Sequence, residues 1–428
     1  MILQVFITLT FILGYTAIVF EHKIKINKAA SAIITGVIVW TLFILWNNDK
    51  DAVSALVIEH LGNISGILFF LLGAMTIVEI IDAHDGFEII TQRISPADKK
   101  RLLWVIGFLT FFLSAVLDNL TTTIVMVSLI RKLLHHEKDR WVFAGIVVIA
   151  ANAGGAWSPI GDITTTMLWI GGQITALNII MRLFLPSLFC LVMPVFIGTF
   201  LIQREVETAD VPKERKYTKT TSTERKTVFI AGLASLLFVP FFKTLTHLPP
   251  FMGMLLSLGF MWILTELIHR GKNDQARGSL SVAQALRRTD SSTILFFLGI
   301  LLCISALQSV GLLQSWAHYL TTHISSQSLI ILLIGLISAI VDNVPLVAAL
   351  QGMYPLTVYP ADHFFWEFLA YATGTGGSIL IIGSAAGVAA MGMEKITFFW
   401  YLKRIAPLAL IGYLSGALVY IFEFKLLF

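Results

Sequence analysis

The chain has 428 residues, of which 57% are hydrophobic and 13% charged, with a mean hydropathy of +0.83. That composition cannot be arranged around one water-soluble core, so the chain is read as a membrane protein. The formal net charge of +4 sits mostly in a few short basic loops, which fits orientation in a bilayer and implies no nucleic-acid partner.

Runs of about twenty apolar residues suit single helical crossings, and the first is Met1–Phe20. It has no positive n-region, and no small-residue cleavage site precedes Glu21-His22-Lys23, so it is expected to be a helix rather than a cleaved signal. Ala29–Trp46, Leu183–Ile202 and Val228–Leu245 are further crossings. Basic breaks at Lys23–Lys28, Arg93–Arg101, Arg131–Arg140, Arg204–Lys226, Arg270–Arg288 and Lys395–Arg404 are assigned to the cytoplasm. Breaks around Asn47–Asp51, Gly171–Asn178, Thr244–Pro250, Gly311–Gln327 and Tyr354–Trp366 are poor in basic residues and are assigned to the outside. Near the cytoplasmic end of the third crossing stand Glu79, Asp82 and His84. They read either as a water-facing proton relay or pH sensor, or as solvated helix-end charges.

The stretch 102–134 has basic flanks on both sides and so crosses an even number of times, although each arm is short. Asp118-Asn119 lies at its middle. Two short arms around a polar tip read as a re-entrant helical hairpin, which is tolerated at membrane depth when its irregular backbone is buried in protein or lines a wet cavity. Next, 141–177 is a helix interrupted by Asn152-Ala153-Gly154-Gly155-Ala156-Trp157-Ser158-Pro159-Ile160-Gly161-Asp162-Ile163-Thr164-Thr165. An opened helix offers carbonyl oxygens to a hard cation, and the next half-helix begins with donors and a positive dipole end. Asp162 also sits where a helix cap would, and Thr164 and Thr165 can bond back to their own helix.

The second half repeats these blocks in order. Phe70-Leu71-Leu72-Gly73 returns as Phe296-Phe297-Leu298-Gly299, and Ser114 to Asn119 as Ser338 to Asn343. Gly154-Gly155 with Gly161 returns as Gly376-Gly377 with Gly383, beside Ser378 and Ser384 but without an acidic residue. The second hairpin, 328–358, has weakly charged flanks, so it is expected to enter from the opposite face. The expected fold is an all-α polytopic membrane protein with an inverted-topology repeat, about ten crossings, two re-entrant hairpins and two broken helices. Its parts are a first repeat 1–203, a cytoplasmic linker 204–227, and a second repeat 228–428 with its broken helix at 366–391.

An ionised Asp at the bilayer centre costs ~2.5–3.5 kcal/mol on insertion scales, so three of them need compensation. No Lys or Arg lies near them in sequence. The compensating charge is therefore read as mobile: a proton when the site is empty, a metal ion when it is full. Asp, Asn, Ser and Thr oxygens suit a small hard cation. Cys190 and Cys303, each in an apolar run, suggest packing rather than a disulfide or thiolate site. No HExxH, GxSxG or phosphate-loop pattern occurs, so no enzyme is expected, and no cofactor beyond the transported ions. A cation channel remains a rival, since acidic rings also select cations.

The Leu-Asp-Asn-Leu-Thr-Thr-Thr tip, the glycine-rich break and Val78-Glu79-Ile80-Ile81-Asp82-Ala83-His84 resemble the NhaD-type sodium/proton antiporters of the ion transporter superfamily, through nearly the whole chain. The resemblance implies exchange of Na⁺ or Li⁺ for H⁺ across a bacterial inner membrane, two re-entrant hairpins, an elevator-like moving unit and a homodimer. Membrane lipid is the other partner, with no soluble protein partner evident. Family motifs fall on Asp118, Asn119, Asn152, Asp162, Thr164, Thr165, Ser338, Asp342 and Asn343, and Ser158 and Ser378 join them from the two breaks. Sodium is expected at Asp118, Asn119, Asp162, Asp342 and Asn343. Dicarboxylate carriers of similar architecture have Ser-Asn-Thr at both tips. The Asp-Asn here argues for a cation, with oxyanion or sodium-coupled organic-anion transport as the alternative. Asp118, beside Asp162, is the expected proton carrier.

Overall fold

A computed structural model describes residues 2–91, 98–134, 136–201, 220–272, 278–324 and 326–427. Helix is the only regular structure among the described residues. Eight of these helices are long and apolar enough to cross a membrane: Ile2–Val19, Lys28–Trp46, Lys50–Ala83, Ala176–Leu201, Ser222–Thr246, Pro250–Ile268, Ser291–Ser309 and Ala406–Leu426. Their outward faces carry large exposed apolar side chains such as Leu13, Leu45, Phe200 and Ile263, as lipid-facing surfaces require.

Between these helices lie the short and interrupted ones. The first hairpin is Lys99–Ser114 and Asn119–Leu133, of 16 and 15 residues. At 1.5 Å per residue each arm is about 24 Å or less, short of the ~30 Å apolar thickness of a bilayer. The second, Gln327–Ile337 and Asn343–Met353, has arms of 11 residues each. The first interrupted helix is Glu137–Ala156 followed by Ile163–Ile170, and the second is Phe364–Gly376 followed by Ala385–Glu394.

The same contacts build both halves. Ser114 Oγ donates to the Ala151 carbonyl at 2.7 Å, and Ser338 Oγ donates to the Thr373 carbonyl at 3.1 Å. A Cβ on Gly154 would meet the Phe111 carbonyl oxygen at 2.2 Å, and one on Gly376 would meet that of Gly335 at 2.1 Å. Glycine is required at both places because hairpin and broken helix touch through their backbones. Partners are exchanged between halves as well. The arm Asn119–Leu133 packs on the second-half segment Ala385–Glu394, while Asn343–Met353 packs on the first-half segment Ile163–Ile170.

Two stretches differ from the sequence reading. Gly311–Gln327 is not a plain outer break. It contains the helix Leu312–His323, which buries Leu312, Leu313 and Ala317 and leaves Tyr319 exposed. The expected linker 204–227 lies outside the described residues as far as 219, and its last residues already belong to the helix Ser222–Thr246. That helix starts there because Thr221 and Glu224 form a reciprocal capping box.

Candidate functional site

Four helix N-termini converge on one internal cavity. They are the second arms of both hairpins and the second segments of both interrupted helices, and their caps are Asp118, Asp342, Asp162 and Ser384. The cavity offers ≈ 90 Å³ to water and is lined by Asp118, Asn119, Asp162, Asp342 and Asn343, among apolar neighbours such as Phe70, Met75 and Phe297. A helix N-terminus carries unpaired N–H groups and a partial positive charge, both of which favour an acidic side chain at the cap. That is how the fold keeps three acids inside an apolar protein.

Each carboxylate is bound differently. Asp118 accepts from Thr121 N at 2.8 Å and from Thr121 Oγ1 at 2.6 Å, so both its oxygens are engaged. Asp162 accepts from Thr164 N at 3.4 Å through Oδ1, while its buried Oδ2 has no hydrogen-bond partner. Oδ2 points toward Gly374 of the other half, where a built Cβ would stand 3.4 Å away. Asp342 accepts from Val344 N at 3.3 Å, and its Oδ2 lies 3.5 Å from Lys28 Nζ.

Behind the cavity wall, Asn119 Nδ2 donates to Asn152 Oδ1 at 3.0 Å, and Asn152 Nδ2 donates to Ser384 Oγ at 3.0 Å. This amide chain joins the first hairpin to both interrupted helices. Thr165 Oγ1 donates back to the Asp162 carbonyl at 2.8 Å, and Thr166 Oγ1 donates to the Pro159 carbonyl at 3.0 Å, closing the break on itself. Thr164 Oγ1 is buried without a partner. Ser158 accepts from Ile160 N at 3.4 Å. Ser338 fastens its own tip, as described above. Ser378 Oγ is turned onto the Thr375 carbonyl at 2.6 Å. Thus Asn152, Ser158, Thr164, Thr165, Ser338 and Ser378 lie outside the cavity lining, and five candidates line it.

A second cavity of ≈ 430 Å³ adjoins the first, sharing Met75, Val78, Leu120 and Thr121 with it. It is lined by Glu79, Asp82, Asp85, Glu88 and Asp290 with Lys132 and Arg288. Arg288 Nη1 is 3.4 Å from Glu79 Oε1. His84 does not join Glu79 and Asp82 at this mouth, nor does it face water. It is buried, its Nδ1 2.7 Å from the Ile80 carbonyl and its Nε2 2.7 Å from His269 Nε2. A residue just past the helix end is turned away from the face that the i, i+3 pair Glu79 and Asp82 shares.

Lys28, Ser384 and His269 were not singled out as partners by the sequence. Lys28 begins a helix 314 residues from Asp342 in the chain, and no local pattern signals their contact. Ser384 did stand out as the place where an acid was missing.

A family model described as citrate transporter matches residues 2–373. Sodium/proton antiporter 1 of Arabidopsis thaliana is 49% identical over 98% of this chain and 72% of its own length. The Na(+)/H(+) antiporter NhaD of Alkalimonas amylolytica is 30% identical over 96% of this chain and 89% of its own. Among solved structures, the Alcanivorax borkumensis YdaH transporter superposes with a TM-score of 0.54 at 14% identity, over 88% of this chain and 89% of that one, which is a likeness of fold.

Proposed function

The chain belongs to the family described as citrate transporter and, within it, groups with the NhaD-type sodium/proton antiporters, and on that premise we propose that it exchanges Na⁺ or Li⁺ for H⁺. The carrying observation is the cavity in which Asp118, Asp162 and Asp342 meet at capped helix ends with Asn119 and Asn343. A carboxylate that holds either a proton or an alkali cation couples their movements in opposite directions. Asp162 Oδ2, buried and unpaired, supplies an oxygen free to accept either. The family description names citrate, but three carboxylates against one lysine repel a tricarboxylate and favour a cation.

In this reading the hairpins are re-entrant, the two halves form an inverted-topology repeat, and the site is exposed alternately to the two sides. The neighbouring acidic cavity, beside the basic breaks, is the cytoplasmic entrance, where its negative field concentrates cations. The membrane is the bacterial cytoplasmic one, and the unit is a homodimer.

Purified protein in liposomes tests this. Sodium added outside should drive protons out of the lumen, and Asp162→Asn should abolish the response with the protein still folded. Sodium current without proton movement would establish a channel. Transport of an oxyanion with indifference to sodium would overturn the reading.

A further inference from the structure

We propose that Lys28 is a tethered competitor for the transported cation: its ammonium occupies Asp342 when no ion is bound and withdraws when one arrives. The inference rests on the exchange reading above and names a residue outside the sequence motifs. Lys28 Nζ lies 3.5 Å from Asp342 Oδ2 and 4.4 Å from the centre of the Phe296 ring, and it lines the same cavity as Asp118 and Asp162.

Helix stability does not account for a lysine here. Lys28 is the first residue of its helix, where the dipole disfavours a cation, and the cap is already supplied by Asn27, whose Oδ1 accepts from Ala29 N at 2.8 Å. The pairing is also of the displaceable kind. At Glu394 a fully buried carboxylate takes Arg131 Nε at 2.6 Å and Arg140 Nε at 2.9 Å, which is a fixed clamp. At Asp342 a single ammonium stands off at 3.5 Å, with both side chains about one-third exposed, at 34% and 29%. The ring of Phe296 gives the ammonium a resting place through its negative face without binding it as a carboxylate does. The other charged or titratable groups facing this contact are Asp118 and Asp162 across the cavity, Tyr15 within electrostatic reach of Asp342, Glu21, which accepts from Lys28 N at 3.2 Å, and Asp290 at the start of Ser291–Ser309, held by Thr293.

A tethered ammonium and a sodium ion compete for the same carboxylate oxygen, Asp342 Oδ2. Removing the tether should therefore lower the sodium KM.

The experiment measures sodium-driven proton efflux from liposomes, at graded sodium and one fixed pH, for wild type, Lys28→Gln, Lys28→Arg and Phe296→Leu. Expected is a KM about fivefold lower for Lys28→Gln, the scale of a partly exposed ion pair. Lys28→Arg should retain the wild-type KM, and Phe296→Leu should raise it, because the ammonium loses its seat away from Asp342. If Lys28→Gln has the wild-type KM, or a raised one, the tether is overturned while exchange stands. If wild type shows no sodium-driven proton efflux, the exchange reading falls, and the tether with it.

Discussion

Asn152 reaches across the molecule to Ser384, its Nδ2 lying 3.0 Å from the serine Oγ, while its Oδ1 receives the amide of Asn119. One fully buried side chain thus ties the first hairpin tip and the first interrupted helix to the second interrupted helix. Replacing it removes partners from two other buried polar groups. Asn152→Ala should lower stability by about 1–3 kcal/mol, the cost of leaving such groups unpaired, and Ser384→Ala by less. Thermal unfolding of both variants in one detergent checks the order.

Gly374 and Gly154 should respond to alanine in opposite ways. A Cβ at Gly374 meets Ala156 Cβ at 3.1 Å and Asp162 Oδ2 at 3.4 Å, contacts that small shifts relieve. At Gly154 it would fall 2.2 Å from the Phe111 carbonyl oxygen, which is backbone and cannot withdraw. Gly374→Ala is expected to fold and lose sodium affinity by narrowing the space before Asp162 Oδ2. Gly154→Ala is expected to yield little monodisperse protein. Size-exclusion profiles paired with exchange assays separate the two outcomes.

Glu394 is a structural charge. Its carboxylate takes two arginines and its carbonyl receives Trp141 Nε1 at 2.9 Å, so it pins the end of Ala385–Glu394 to the first half. Glu394→Gln removes the anion from two guanidinium groups that are partly open to solvent and should cost about 1–3 kcal/mol. The loss should appear as a lower melting temperature, with the sodium KM of the surviving protein unchanged.

The buried histidine pair gives a stability that depends on pH. The Ile80 carbonyl fixes the proton of His84 on Nδ1, so His84 Nε2 accepts and His269 Nε2 donates. Burial, reinforced by the facing His84 ring, holds His269 down to about 4, and burial lowers His84 as well. Both folded rings take up a proton less readily than unfolded histidines, which charge near 6.5. The folded state then binds fewer protons, so stability holds above about 6.5 and declines as pH falls from there toward about 4. Melting temperature against pH should show this decline in wild type and a shallower one in His269→Gln.

Much of the architecture was legible because it depends on local sequence. Hairpins and breaks were visible in the short arms, their charged flanks and their glycines, and the observed breaks at 115–118, 157–162, 338–342 and 377–384 fall inside the expected stretches. What was hidden depends on tertiary approach. Lys28 meets Asp342 from far along the chain, and His269 meets His84 across 185 residues. His84 was grouped with Glu79 and Asp82 by proximity in sequence, but the helix ends at Ala83 and turns it inward. The amphipathic helix Leu312–His323 was taken for a loop because its polar face interrupts an apolar background.

The exchange of partners between halves bears on how the protein is made. Asp162 looks toward Gly374 and Asn152 bonds to Ser384, so these two polar residues of the first half are completed by residues that leave the ribosome later. A nascent chain that has finished only its first half holds an acid and an amide that each still lack one native neighbour. Insertion of the first half and its maturation are therefore separate events, and the second must wait for the last interrupted helix to arrive.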